Sequence, residues 1–196
     1  FILSGPSGAG KGTICKRLLE ETELQLSVSM TTRAPREGEI HGVHYYFVSE
    51  EEFVDRIEKD GFLEHAQVYG NRYGTPKEPV LEKLSQGIDV ILEIDIQGAL
   101  KVKENYPDGV FIFILPPSMS ELRKRLTGRG TETAEAIEMR LGETLKELSF
   151  IEKYDYCVVN GDLEEAASRV KSIVIAEHSK VTITAEQLVE KYKEEK

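Results

Sequence analysis

The chain opens FILSGPSGAGKGT, Phe1 to Thr13, and the glycines at 5, 8, 10 and 12 dictate what can follow. Phe1, Ile2 and Leu3 read as the end of a buried strand. Glycine is the least helix-prone ordinary residue, yet Ile14, Leu18 and Leu19 share one helical face immediately afterwards. A strand must therefore turn closely into a helix. Gly5, Pro6, Ser7, Gly8, Ala9, Gly10 and Lys11 fit the G-x-x-x-x-G-K pattern in that strand–turn–helix setting, which cradles a polyphosphate. Backbone N–H groups converge on phosphate oxygens there, and the helix N-terminus adds its positive dipole end. Lys11 reaches the β- and γ-phosphates as a point charge. The pattern normally continues with Ser or Thr; here Gly12 intervenes, and Thr13 becomes the hydroxyl candidate for Mg²⁺ or the α-phosphate.

The remaining chain reads as an α/β fold. Short apolar runs at 1–3, 90–94, 110–115 and 156–159 are bounded by Gly, Pro, Asp or Asn, as buried parallel strands are. Helical patterns at 11–21, 77–86, 120–126, 134–153 and 163–176 separate them, which predicts a parallel sheet flanked by helices. Two stretches interrupt the alternation. Residues 27–73 hold arginines, histidines, several aromatics and a short helix near 50–59, and read as a small inserted unit of strands; residues 126–133, LTGRGTET, form a polar break between helices. Both read as flaps over one edge of the core. Asp95 follows Ile91, Leu92 and Ile94 and emerges at the carboxyl end of a strand, where open α/β sheets bind ligands and where a carboxylate holds Mg²⁺ directly or through water.

Net charge is −10, against the basic surplus expected of a nucleic-acid binder. The longest apolar run, residues 110–115, is too short for a membrane span. Cys15 and Cys157 are the only cysteines; both are expected in the core, which suits a reducing cytosol and a cytoplasmic protein. His41 and His44 have no companion ligands at metal spacing and read as loop residues. Arg33 and Arg36 flank Pro35, which prevents a regular helix, so two guanidiniums and the Tyr45 phenol sit on one loop or strand edge. That trio suits a phosphate monoester, which arginine grips bidentately. Glu64, taken alone, reads as a surface acid.

A phosphate loop defines a superfamily without naming a substrate. The set GPSGAGKGT, SMTTRAPREGEIHGVHYYF, GFLEHAQVYGNRYGT, ILEIDIQG and LTGRGTET, in this order, resembles the guanylate kinase family over essentially the whole chain, nearest its bacterial-type short forms. The second, third and fifth segments carry the resemblance; the first and fourth are shared among P-loop proteins. The resemblance implies a P-loop NTPase core with a small mixed α/β GMP-binding insert and a helical lid. Its expected limits are core at 1–31, 80–124 and 141–196, insert at 32–79 and lid at 125–140. It implies transfer of the γ-phosphoryl group of ATP to GMP, and to dGMP, with Mg²⁺ and without a nucleic-acid or membrane partner. By the family pattern Arg33, Arg36, Tyr45 and Tyr73 hold the GMP phosphate. Ser29, Glu64 and Thr75 contact guanine, with Asp95 on the same side. Lys11 and the surrounding loop bind ATP; Arg125, Arg129 and Arg140 converge on the transferring group; Asn160 lines the adenine pocket. Two rivals are a guanylate-kinase-like interaction module without catalysis, and a kinase for another nucleotide, since GKGT also resembles adenylate kinase. The standing Lys11, Arg125, Arg129 and Arg140 speak against the first. Glu64 together with the TTRAPR loop speaks against the second.

Overall fold

The computed structural model describes residues 1–68, 70–128, 134–182 and 184–194. Strands β1 (Ile2–Ser4), β2 (Gln25–Leu26), β7 (Val90–Glu93), β8 (Phe111–Leu115) and β9 (Tyr156–Val159) form a parallel sheet in the order β2-β7-β1-β8-β9. Ile2 pairs with Leu92 on one side and Phe111 on the other, so β1 carries the phosphate loop out of the middle of the sheet. One face is covered by α1 (Lys11–Glu21) and α7 (Leu163–His178), which bury Leu3, Ile14, Leu18, Ile91, Ile112, Val170 and their neighbours. Ile2, Leu92, Phe111, Ala99 and Val102 build a second cluster on the opposite face, with Ala99 and Val102 supplied by α4 (Ile96–Asn105). Each fully buried aliphatic side chain in these layers contributes about 1.5–3 kcal/mol.

A second sheet holds β3 (Met30–Thr31), β4 (Tyr46–Phe47), β5 (Phe62–Val68) and β6 (Asn71–Pro76) in the order β4-β3-β6-β5. It packs on α2 (Glu50–Glu58) through Met30, Phe53 and Phe62. A capping box starts α2: Ser49 Oγ accepts from Glu52 N–H, and Glu52 accepts from Ser49 N–H. Helix α3 (Lys77–Ser85) leads back to β7, and β5 packs on α4, which fixes this sheet against the core. Helices α5 (Met119–Thr127) and α6 (Ala134–Glu147) share the buried residues Leu122, Leu126, Ile137 and Leu141. Arg129 and the rest of 129–133 lie outside the described residues.

Three expectations change. The helical pattern at 134–153 is α-helix only to Glu147 and 3-10 from Leu148 to Lys153. Helix α4 and helix α8 (Ala185–Glu194) are additional to the predicted set, as is the two-residue strand β2. Cys15 is buried as expected, but Cys157 is exposed: β9 is the outermost strand, and its alternation buries Val158 while Cys157 and Val159 face out. Among the described residues no helix is long and apolar enough to cross a membrane.

Candidate active site

The donor side starts with backbone. Gly5, Gly8 and Gly10 all have positive φ, at 142°, 86° and 92°. A Cβ on Gly5 would overlap the Ile114 carbonyl of the adjacent strand, so no other residue fits this close approach. Gly10 caps α1 in the left-handed conformation with no side-chain hydrogen bond, and the first turn of α1 has no acidic residue. Such a helix start keeps its amide groups available for an anion. The Lys11 ammonium folds back over the loop and donates to Gly5 O at 2.7 Å and Pro6 O at 3.0 Å. Two cations approach the same loop from helices distant in sequence. Arg140, on α6, donates to Ser7 Oγ at 2.9 Å. Arg125, on α5, donates to Asn160 O at 3.0 Å, and Asn160 Nδ2 in turn donates to Ala9 O at 2.8 Å.

The acceptor side is a cleft of about 230 Å³ between the second sheet and the end of β7, lined by Ser29, Tyr45, Glu64, Ala66, Tyr73, Gly74, Glu93, Ile94 and Asp95. Glu64 is 8% exposed, and its Oε1 accepts from Thr75 Oγ1 at 2.8 Å across the β5–β6 pair. Its Oε2 lies against Gly98, where a Cβ would stand 2.9 Å away. Removal from water pushes the Glu64 carboxyl up to about 7; the Thr75 hydroxyl opposes the rise and the Asp95 charge adds to it. The Tyr45 and Tyr73 rings meet edge to face at 6.0 Å. The Arg33 guanidinium lies 5.5 Å from the Tyr45 ring centre and 5.8 Å from that of Phe47. It donates to Ala34 O at 2.7 Å and to Glu39 Oε1 at 2.8 Å, while Glu39 Oε2 accepts Arg36 N–H at 2.7 Å. These bonds, led by that to Arg33, hold the Glu39 carboxyl down at about 2.

Between the halves stand Glu93 and Asp95, at and just beyond the end of β7. Asp95 Oδ1 caps α4 by accepting Gly98 N–H at 2.7 Å, so the strand-end acid is also a helix cap. Glu93 is open to the cleft, yet protein walls remove enough water to raise its carboxyl, against the pull of Lys11. Its Oε1 would stand 3.2 Å from a Cβ on Gly12. A side chain at position 12 would require the Glu93 carboxylate to shift by a few tenths of an ångström. Hard oxygen donors, the Thr13 hydroxyl and the Asp95 and Glu93 carboxylates, suit Mg²⁺. Among the described residues no group of three or more His, Cys, Asp or Glu is gathered for a metal.

The structure brings Ser29, Tyr45, Glu64, Tyr73 and Asp95 to one cleft and places Thr75 on Glu64. Arg33 stands behind Tyr45, whereas the Arg36 side chain is exposed and reaches this group through its backbone. Lys11, Arg125, Arg140 and Asn160 meet at the loop; Thr13 is exposed on the first turn of α1. Glu39 and Glu93 escaped the reading of the sequence.

A phosphate loop at the centre of a parallel sheet, facing a second pocket built by an inserted sheet, defines a P-loop nucleoside monophosphate kinase. The guanylate kinase family model matches residues 1–177. The guanylate kinase of Clostridium acetobutylicum is 55% identical over 190 residues, covering 97% of this chain and 91% of its own length. That of Caldanaerobacter subterraneus subsp. tengcongensis is 58% identical over 182 residues, covering 92% and 88%. The crystal structure of guanylate kinase from Anaplasma phagocytophilum superposes with a TM-score of 0.75 at 41% identity, covering 92% of this chain and 86% of that one. The chain belongs to the guanylate kinase family.

Proposed function

We propose that the enzyme transfers the γ-phosphoryl group of ATP to GMP, and to dGMP, giving ADP and GDP or dGDP. The observation that carries this reading is the buried Glu64 carboxylate, held by Thr75 and turned to a cleft beside the phosphate loop. Guanine presents N1–H and N2–H₂ as adjacent donors, which one carboxylate accepts together. Adenine has an acceptor at N1 and leaves such a carboxylate unpaired. Ser29 and Thr75 complete the base edge, with Asp95 beside them, and Arg33, Arg36, Tyr45 and Tyr73 hold the acceptor's phosphate.

On the donor side ATP lies along residues 5–13. Lys11 exchanges the Gly5 and Pro6 carbonyls for the β- and γ-phosphates. Arg125, Arg129 and Arg140 surround the transferring group, where positioning and charge neutralisation supply the catalysis. Thr13 and Asp95 would hold Mg²⁺, directly or through water, and the ion would supply charge neutralisation at the donor's phosphates. Segments 32–79 and 125–140 act as acceptor insert and lid on a core made of 1–31, 80–124 and 141–196. Closing them over the substrates excludes water from the transfer. A coupled ADP-release assay comparing GMP, AMP, CMP and UMP tests this. GMP is expected to be the acceptor used; equal turnover with AMP overturns the reading.

A further inference from the structure

Gly98 stands buried in the first turn of α4, although glycine is the least helix-prone ordinary residue. Its φ is not positive, so the backbone there would admit a side chain. The obstacle is the acceptor cleft. A Cβ on Gly98 would stand 2.9 Å from Glu64 Oε2 and 3.2 Å from the Glu64 carboxyl carbon, so something must shift to make room. The helix is held in place. Asp95 caps it through Gly98 N–H at 2.7 Å, and Ala99 N–H donates to Asp95 O at 2.9 Å. Ala99 and Val102 are buried in one cluster with Leu63 of β5. One turn on from Gly98, the Lys101 ammonium donates to His65 O at 2.5 Å. Helix α4 is thus tied to β5 on both sides of Glu64.

We infer that Gly98 is a positioning residue for base choice: having no side chain, it lets the Glu64 carboxylate sit where both guanine donors reach it. The inference rests on the reading of Glu64 as guanine's acceptor. Glu64 is 8% exposed and its Oε1 is held by Thr75, so the carboxylate is seated between Thr75 and α4. A methyl group at position 98 would meet the tip of that side chain, which yields more readily than the pinned helix. Two donors on adjacent guanine atoms need two carboxylate oxygens in one orientation, so a displaced carboxylate loses pairing. The three atoms nearest such a methyl belong to Glu64 and Asp95. None belongs to the phosphate loop or to Arg33, Arg36, Tyr45 or Tyr73, so the effect is confined to the base.

Steady-state kinetics tests this with kcat/KM for GMP and AMP, and KM for ATP. The enzymes compared are the wild type, Gly98→Ala, Glu64→Ala and the double variant. Alanine favours a helix over glycine, so the substitution does not weaken α4 itself. Gly98→Ala is expected to lower kcat/KM for GMP by about tenfold to a hundredfold, with AMP use and KM for ATP little changed. On the Glu64→Ala background it should alter the GMP-to-AMP ratio by less than about twofold, because the group it acts through is gone. Three results overturn the inference. In the first, the ratio is unchanged in Gly98→Ala, which means that the carboxylate tolerates the methyl group. In the second, GMP use falls as far on the Glu64→Ala background, which makes the glycine's role independent of Glu64. In the third, KM for ATP rises by the same factor, which makes that role general to the fold. If Gly98→Ala does not fold, the double variant is expected to fold, since removing the carboxylate frees the space. A double variant that also fails to fold overturns the inference. A wild type that uses GMP and AMP equally overturns the reading of Glu64 itself.

Discussion

The phosphate loop takes its shape mainly from main chain, with Gly5, Gly8 and Gly10 at positive φ, and one side chain, Asn160, pins Ala9 O. The acceptor cleft is assembled instead from side chains on separate stretches of chain: Ser29, Tyr45, Glu64 with Tyr73, and Asp95. Every nucleoside triphosphate offers the same phosphate chain, so a donor site made of backbone amides can be shared across a superfamily. A monophosphate is distinguished by its base, and only side chains differ enough to choose among bases. Backbone sites should therefore fail on the donor as a whole, and side-chain sites should change preference.

Predictions that break or sharpen this contrast begin with Lys11→Ala. Its ammonium sits on Gly5 and Pro6 carbonyls at the mouth of the loop, and removing it should lower kcat by roughly 10²–10⁴-fold, the range for lost electrostatic stabilisation of a transition state. Circular dichroism should show the fold intact; near-normal turnover in a folded variant contradicts the donor site. Gly10→Ala comes next. It combines a positive φ with overlap on Asn160 Nδ2, and should weaken ATP by about tenfold or more while GMP titrations stay unchanged. Equal loss of both ligands would mean that the halves are not separately built. Arg36→Ala should raise KM for GMP and IMP alike by about tenfold, because a charged hydrogen bond to phosphate reports nothing about the base. A change in the GMP-to-IMP ratio would contradict that.

The smallest effect is in pH. Burial lifts the free-enzyme Glu64 carboxyl to about 7, and guanine's donors require it ionised. KM for GMP should rise as pH falls below 7, with KM for ATP flat, and Glu64→Gln should remove that slope. Stability carries the opposite sign. Between the ordinary carboxyl value of 4.5 and about 7 the folded chain holds this proton and the unfolded chain does not, so the residue's contribution declines as pH rises. Glu64→Gln should therefore raise the melting temperature at pH 8 and not at pH 4. A melting shift independent of pH would refute the buried-carboxylate description.

The loop and the sheet that carries it were legible because each is written in consecutive residues: glycines at fixed spacing, and apolar runs closed by turn residues. Helix α4 was not, and Gly98 shows why. The helix tolerates a glycine in its first turn because a side chain there would stand 2.9 Å from Glu64 Oε2. The site thus shapes the helix and blurs its pattern. Glu64 itself was legible only in company, since nothing local distinguishes a buried acid on a strand from a solvated one. Glu39 is the same case, an ordinary loop acid whose hold on Arg33 and on the Arg36 amide exists only after folding. Cys157 reversed for a local reason: an edge strand covered on one face alternates, and a continuous apolar run hides that alternation.

Base selection by Glu64 is the claim on which the rest depends, and kcat/KM for GMP, IMP and AMP on the wild type and Glu64→Ala measures it. IMP lacks the 2-amino group; AMP lacks both donors. The wild type should favour GMP over AMP by up to ~10⁴-fold, as a site built around a polar partner does. Glu64→Ala should lose on the order of 2–4 kcal/mol toward GMP, the cost of a charged hydrogen-bonded pair, narrow the gap to IMP to a few-fold, and keep its KM for ATP. A folded Glu64→Ala enzyme that still prefers GMP over both IMP and AMP by the wild-type ratios contradicts the account.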